Sequence, residues 1–552
     1  MYSQGIKKTI VLRPVKKKQA LQGNLHPLLE RIFLARGITS DLELDRTLAK
    51  LPSPWLLSGM EEMVEHLLVA INEQQKICIV ADFDADGATS CAVAIKGLQL
   101  LGAGQVSFVV PNRFEYGYGL TPEIVELVKL QNPDVIITVD NGISSIDGVK
   151  AATDSGIKVL VTDHHLPGSI LPAATAIVNP NLLDDKFPNK SLAGVGVIFY
   201  VLLALRSRLR DINWFETNQV KEPNLAQLLD YVALGTVADV VALEQSNRIL
   251  VYQGLLRIRT GRCHPGLTAL VEVSGKNPQT ITTADLGFSL GPRLNAAGRM
   301  DDMSLGIQCL LSDDPALAKD IALQLDALNN DRREVEAVMK HEAQTYLSEM
   351  KALDEHHLPA GVCLFDANWH QGVIGILASR IKDQVHRPVI AFAPAGKDLI
   401  KGSARSIPGV HIRDVLSDIA AAHPKLLSKF GGHAMAAGLS LKMHDYPPFA
   451  LAFDEMVGKR LASVDLEQKI LSDGELTEQE MTIEIADLLQ NAATWGQEFP
   501  EPLFDGVFDV IQSRIVGQRH LKLVLRKPVG DLVIDAIAFF VDRPEHWLGL
   551  RQ

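Results

Sequence analysis

Three short runs of β-branched residues each end in aspartate: Lys76-Ile-Cys-Ile-Val-Ala-Asp82, Asp134-Val-Ile-Ile-Thr-Val-Asp140 and Ile157-Lys-Val-Leu-Val-Thr-Asp163. The turn after the first run adds Asp84 and Asp86, in Asp82-Phe-Asp84-Ala-Asp86-Gly87, and the turn after the third adds His164 and His165. Carboxylates gathered at one place raise one another's pKa sharply. Divalent cations remove that conflict, and carboxylate plus imidazole without thiolate suits Mn²⁺ or Mg²⁺. Two such ions about 4 Å apart can stabilise both the attacking and the leaving oxygen of a phosphoryl displacement. The chemistry these residues predict is metal-dependent phosphoester hydrolysis.

Two blander readings compete. Asp-x-Asp-x-Asp-Gly opens an EF-hand loop, but position 12 here would be Val93 in place of a bidentate glutamate, and a β-run, not a helix, precedes Asp82. Aspartate at a strand-to-helix turn also caps helices. Capping could account for any one of these residues; it does not account for three turns together with a histidine pair.

The acids need elements that bring them together. Continuous Val/Ile runs alternating with helical segments, such as Thr121–Gln131 with Pro122 at a first helical position, read as a parallel sheet. In such a sheet the carboxyl ends of the strands face one crevice. At 552 residues the chain has room for several domains. Residues 1–50 read as a basic arm and a small adaptor with a helix near 26–35, and residues 51–312 as the catalytic α/β domain. Ser312-Asp-Asp-Pro315 starts a helix, and no Gly or Pro follows until Pro359. That predicts a connecting helix over 313–355, with room for one break; two ordinary helices of one domain would also fit. A Gly-rich α/β unit spans 356–462. An all-β unit resembling a small OB-type barrel spans 463–552, with strands near 507–511, 521–525 and 532–540.

Composition narrows the class. The hydrophobic fraction of 47% is that of an ordinary globular protein, and the net charge of −12 argues against a generic basic nucleic-acid coat without excluding a local basic groove. Five scattered cysteines form no CxxC pair, so neither a zinc ribbon nor a disulfide scaffold is expected. The first residues lack the apolar core of a signal peptide, and the apolar stretch 197–205 is too short to cross a bilayer. A reduced, cytoplasmic protein with no membrane partner is expected.

On these motifs the chain resembles the DHH phosphoesterase superfamily, whose signature stands here as Asp163-His164-His165. The companion motifs are Asp82-Phe-Asp-Ala-Asp-Gly87, Val139-Asp140-Asn141-Gly142 and Gly235-Thr-Val-Ala-Asp239. Within the superfamily it looks like the bacterial single-strand-specific DNA exonucleases. That likeness rests on Pro111–Leu120, Gly291-Pro-Arg-Leu-Asn-Ala-Ala-Gly-Arg299, Trp369-His-Gln-Gly-Val-Ile-Gly-Ile376, Gly402-Ser-Ala-Arg-Ser406 and Gly431-Gly-His-Ala-Met-Ala-Ala-Gly438. The resemblance implies two ions, Mn²⁺ or Mg²⁺. Asp84 and Asp140 would hold one, and Asp86, Asp140, His164 and Asp239 the other, with Asp140 bridging. Asp82 and Asp163 would stand close by, as ligands or as residues that orient them, and His165 would meet the scissile phosphate or the leaving group.

The Gly-rich unit then looks like the family's DHHA1 substrate-binding domain. Ser403 and Arg405 are placed to hold a terminal phosphate, since a guanidinium can bind two phosphate oxygens. His433 follows Gly431-Gly432, whose N–H groups could form an anion nest or serve a tight packing turn. Arg113, Arg293, Asn295, Arg299 and His370 are further substrate candidates; each arginine alone could equally be an ordinary surface or ion-paired residue. Trp369 could stack a base but reads better as a core residue. In His520-Leu-Lys-Leu-Val-Leu-Arg526, strand alternation would put His520, Lys522 and Arg526 on one face. That face suits a single-stranded nucleic-acid groove as well as it suits a protected edge strand.

The resemblance implies a processive 5′-to-3′ exonuclease on single-stranded DNA that releases 5′-mononucleotides in recombination and repair. It further implies a monomer working with a single-strand-binding protein and a DNA helicase. One rival is a phosphodiesterase of small substrates from the same superfamily, against which the extra C-terminal unit speaks. The other is a catalytically dead DNA-binding scaffold, which the complete metal motif opposes.

Overall fold

The computed structural model describes residues 8–15, 21, 25–112, 119–353, 358–427, 429–461, 468–541 and 543–549. The chain divides into two compact units. The first holds residues 45–467 together with 494–499.

Its N-terminal part is built on five parallel strands in the order Gln105–Val109, Lys76–Ala81, Val135–Val139, Lys158–Thr162, Ala176–Val178. The strand Val135–Val139 is buried throughout, as a Val/Ile run covered on both faces must be. One face packs on the helices Pro122–Lys129 and Ile146–Asp154 through Ile124, Val125 and Val149. The helices Ala85–Leu100, Gly194–Asp211 and Leu229–Ala238 pack on one another. Register decides what matters for chemistry. Ala81 pairs with Val139, Val139 with Thr162 and Thr162 with Val178. The next residues along, Asp82, Asp140, Asp163 and Asn179, therefore line one edge of the sheet.

The connecting helix runs unbroken over Pro315–Leu353, 39 residues. Its two halves bury different stripes. Ala318, Ile321, Ala322 and Leu325 are buried in the first half, which packs on the N-terminal part. Met339, Ala343 and Leu347 belong to a core shared with Val362, Trp369, Val373 and Leu377. Trp369 is thus a core residue, with its Nε1–H donating to Glu342 Oε2 at 2.9 Å. The second sheet has the order Lys429–Gly432, Ala436–Lys442, Leu399–Arg405, Val389–Pro394, Val362–Phe365; only the last pair is parallel. Residues 494–499 join this first unit, with Thr283 Oγ1 donating to the Trp495 carbonyl at 2.6 Å and Leu243 N to the Gln497 carbonyl at 2.9 Å.

The second unit holds residues 7–44, 468–493 and 500–552. The N-terminal segment is therefore part of the C-terminal unit and not an adaptor of its own: Lys8–Leu12 pairs in parallel with Gln468–Ser472. Buried Asp473 binds Arg36 at 2.8 Å and accepts the Leu503 N–H at 3.0 Å. An antiparallel meander, Asp509–Val516, His520–Arg526 and Val533–Ala538, forms its main sheet, and a helix, Ile483–Ala492, precedes it. Among the described residues no helix is long and apolar enough to cross a membrane.

Candidate metal centre

The first turn is locked by its own backbone. Asp84 caps the helix Ala85–Leu100, accepting from Asp86 N at 2.9 Å and Gly87 N at 3.0 Å. Residue 87 must be glycine, because a Cβ there would lie 2.4 Å from the Asp82 carbonyl oxygen. Asp86 is held from outside the turn: Gly194 N and Val195 N, at the start of Gly194–Asp211, donate to its two carboxylate oxygens at 2.7 and 2.9 Å. A helix N-terminus favours such a charge. Capping is thus real for Asp84, and it holds the Asp84–Asp86 turn in place.

Asp140 sits in the left-handed region, with φ of 61°, which swings the chain off the strand end. His164 Nε2 lies 3.1 Å from Asp140 Oδ1 and 3.5 Å from Asp239 Oδ2. Asp163 accepts from Ile143 N, His164 N and His165 N at 2.9, 2.7 and 3.0 Å and meets His165 Nδ1 at 2.7 Å. The donor atoms fall into three groups, each within 4.8 Å: Asp82, Asp84 and Asp140; Asp86, His164 and Asp239; Asp140, His164 and His165.

Electrostatics divides these residues in two. Burial, then the charge of Asp84, pushes Asp86 up to about 7. Burial, then neighbouring carboxylates, raises Asp140 and Asp239 well above the usual carboxylate range. Burial, then His165, pushes His164 down to about 4, leaving it a neutral donor. Burial alone would lower His165, but the hydrogen bond and charge of Asp163, with Asp82 and Asp84, carry it up to about 9. A cluster of raised acids around a neutral imidazole must hold either protons or cations. Among the described residues, buried His164 Nε2 and Asp239 Oδ2 take no hydrogen bond, as ligand atoms aimed at an ion would. The oxygen and nitrogen donor set fits a hard divalent cation.

A pH dependence follows. Between an ordinary carboxylate pKa near 4 and the folded value of about 7 for Asp86, the folded state binds more protons than the unfolded chain. Without metal, stability should therefore fall as pH rises through that window. Mn²⁺ should raise the melting temperature by several degrees at about pH 8 and much less at about pH 5.5. An equal shift at both, or none, would count against a cation at this cluster.

The substrate candidates separate. Arg113 lies outside the described residues. Arg293 is turned inward, donating to the Ser289 carbonyl at 2.6 Å and pairing with Asp326 at 2.7 Å on the connecting helix, so its guanidinium braces the fold. Asn295 Oδ1 accepts from Ala85 N at 2.9 Å and holds the Asp84–Asp86 turn. On the same helix a Cβ at Gly298 would meet the Phe83 carbonyl oxygen at 1.9 Å. Arg299 Nη1 donates to the Gly372 carbonyl at 3.3 Å, and His370 Nδ1 accepts from Gly372 N at 3.1 Å, which ties these two residues together. Arg405 Nη1 lies 3.1 Å from Ser403 Oγ, and a Cβ at Gly375 would sit 2.9 Å from both Ser403 Oγ and Arg405 Nη2. Glycine at 375 keeps that pair open. Gly431 and Gly432 lie on a paired strand, not in a nest. His433 follows it, its ring stacked 6.4 Å from that of His165.

In the C-terminal unit the basic strand is partly neutralised: Lys522 pairs with Asp535 at 3.2 Å and Arg526 with Asp509 at 3.7 Å, both acids on flanking strands. His520 lies between the rings of Phe539 and Phe540, 62% and 72% exposed. Alternation within one strand could not show acids contributed by its neighbours. Sequence reasoning also passed over Asn179 and Asn181, which donate to the His165 and His164 carbonyls at 2.9 and 2.6 Å. Asn179 follows a fourth parallel strand, so the strand-end logic applied to the aspartates would have found it.

Comparison with known proteins matches residues 76–236 to the DHH family, N-terminal domain, residues 358–459 to the DHHA1 domain and residues 472–549 to the RecJ OB domain. The chain is 52% identical over 536 residues to the single-stranded-DNA-specific exonuclease RecJ of Salmonella typhimurium, covering 96% of this chain and 92% of that one. It is similar in structure to RecJ of Thermus thermophilus in complex with Mn²⁺, with a TM-score of 0.75 at 30% identity over 93% of this chain and 72% of that one. The Mg²⁺ complex of the same protein aligns with a TM-score of 0.70 at 28% identity, over 93% and 69%.

Proposed function

The chain belongs to the RecJ family of single-stranded-DNA-specific exonucleases, and from that premise we propose how its residues divide the work. It is a metal-dependent exonuclease of single-stranded DNA. One observation carries the assignment of roles. Asp140 and His164 recur across the three donor groups, so the groups form one continuous site. Asp82, Asp84 and Asp140 hold one ion; Asp86, Asp140, His164 and Asp239 hold the other, with Asp140 shared. Bound there, Mn²⁺ or Mg²⁺ supplies charge stabilisation at the attacking and leaving oxygens of the phosphodiester.

The chain's own residues do the rest. Asp163 orients His165 through Nδ1 and keeps it protonated, leaving Nε2–H to donate to a phosphate oxygen or to the departing oxygen. His433 stands stacked beside it. Arg405 and Ser403, facing the open Gly375, take the 5′-terminal phosphate, with Arg299 and His370 along the approach. An end-binding site at Ser403 and Arg405 would account for cleavage from the 5′ end with release of mononucleotides. The C-terminal unit binds the single strand, with Lys522 and Arg526 exchanging their carboxylate partners for phosphate. The enzyme works as a cytoplasmic monomer in recombination and repair, beside a single-strand-binding protein and a helicase that supplies unwound ends.

Arg405→Ala tests the end pocket. On strands bearing a 5′-phosphate its kcat/KM should fall by about tenfold or more, and on 5′-hydroxyl strands far less, because only the former lose a bidentate contact. An unchanged phosphate-to-hydroxyl preference would remove Arg405 from that role, and release of label first from the 3′ end would overturn the polarity.

A further inference from the structure

Beside the helix that ends at Asp239 stands a short apolar turn that the hydrolytic chemistry does not use. Leu286–Leu290 forms a π-helical turn, a form concentrated at functional sites, immediately before the helix Gly291–Met300. The turn packs on the helix Leu229–Ala238, whose C-cap is Asp239. Glycines set the closeness of the approach: a Cβ on Gly287 would lie 3.3 Å from Val237 Cγ1, and one on Gly291 3.2 Å from Ala238 Cβ. Between them Phe288 is 86% exposed. On the other side of Asp239, Val240 is 61% exposed and holds φ of 63°, a conformation a β-branched residue adopts only under constraint.

Single exposed apolar side chains are commonplace on protein surfaces. Here the turn that carries a bare phenyl ring packs on the helix that ends at one candidate ligand, and a strained valine follows that ligand in the chain. The segment carrying the ring also supplies Asn295 to the Asp84–Asp86 turn and sets Gly298 against Phe83. The backbone that carries the ring is thus tied to the candidate ligands at two places, the Asp84–Asp86 turn and the end of the helix Leu229–Ala238. A DNA strand that delivers its phosphodiester to that site brings bases with it. Unpaired bases stack on aromatic rings without regard to sequence, whereas the bases of a duplex have their faces covered.

We propose that Phe288 is a base-stacking step of the exonuclease, on which a base next to the scissile phosphate lies and which favours an unpaired strand. The inference rests on the reading that hydrolysis occurs at the Asp140–Asp239 cluster. The test compares kcat/KM on 5′-phosphorylated oligo-dT with that on the same strand carrying abasic residues at its first three positions. The parent protein should prefer the base-bearing strand. Phe288→Ala and Phe288→Leu should shrink that preference by about tenfold, the scale of one lost base–aromatic contact, while Phe288→Tyr should keep it. A preference unchanged in the Ala and Leu variants, whether total activity is kept or lost, would overturn the proposal, as would its absence in the parent. Continued hydrolysis by Asp140→Ala would instead defeat the underlying reading, so the two failures are distinguishable.

Discussion

Replacing Asp140 by alanine should cut exonuclease activity by at least about a thousandfold while leaving the protein folded and able to hold single-stranded DNA. The size of the loss follows from the position. Asp140, like His164, belongs to two of the three donor groups, and it is the residue shared by both proposed cation positions, so its removal unsettles both at once. Groups that act as a unit lose function together, not in proportion. The second half of the expectation separates chemistry from collapse. Asp140 is buried among Asp86, Asp84, Asp82 and Asp239, and burial followed by these charges raises its pKa well above the ordinary range. Without metal its carboxylate therefore opposes the fold. The variant should melt no lower than the parent in a chelator, and Mn²⁺ should raise its melting temperature less. Calorimetry with and without Mn²⁺, beside a nuclease assay and a binding titration, reads all three. A chelator melting point far below the parent's would assign the lost activity to unfolding.

A single added methyl at Gly194 should also be damaging, though about tenfold less so. A Cβ there would lie 2.6 Å from both Cβ and Oδ1 of Asp140, closer than such atoms approach, with a short buried side chain that has no room to swing away. Either Asp140 moves or the start of the helix Gly194–Asp211 withdraws, and that start donates the Gly194 and Val195 N–H groups to Asp86. Both routes displace a proposed ligand, by up to about an ångström. Misplacement on that scale costs about a hundredfold in rate. Gly194→Ala should show that loss in kcat together with a raised Mn²⁺ requirement. Gly458→Ala is the control, since its methyl would meet Ala360 at an ordinary 3.6 Å. Full activity in Gly194→Ala would mean that the tight contact at Asp140 does not govern ligand placement.

Much of the centre was legible before any fold was drawn, because the signal is local. A Val/Ile run that ends in aspartate carries both the element and its functional end, and a parallel sheet in register sets such ends side by side. Asp82, Asp140 and Asp163 needed no knowledge of their neighbours, and the connecting helix announced itself by the long absence of Gly and Pro. What the tertiary structure alone decided are partners from distant segments. Asp86 is anchored by a helix more than a hundred residues away, and His433, in the turn after the strand Lys429–Gly432, stacks on His165. Arg293 and Asn295, alike in sequence context to phosphate-binding residues, are turned to Asp326 and Ala85 and hold the site in shape. Lys522 and Arg526 meet acids on adjacent strands. Spacing along a chain fixes which way a side chain leaves its own element. What it finds there depends on which other element has packed opposite.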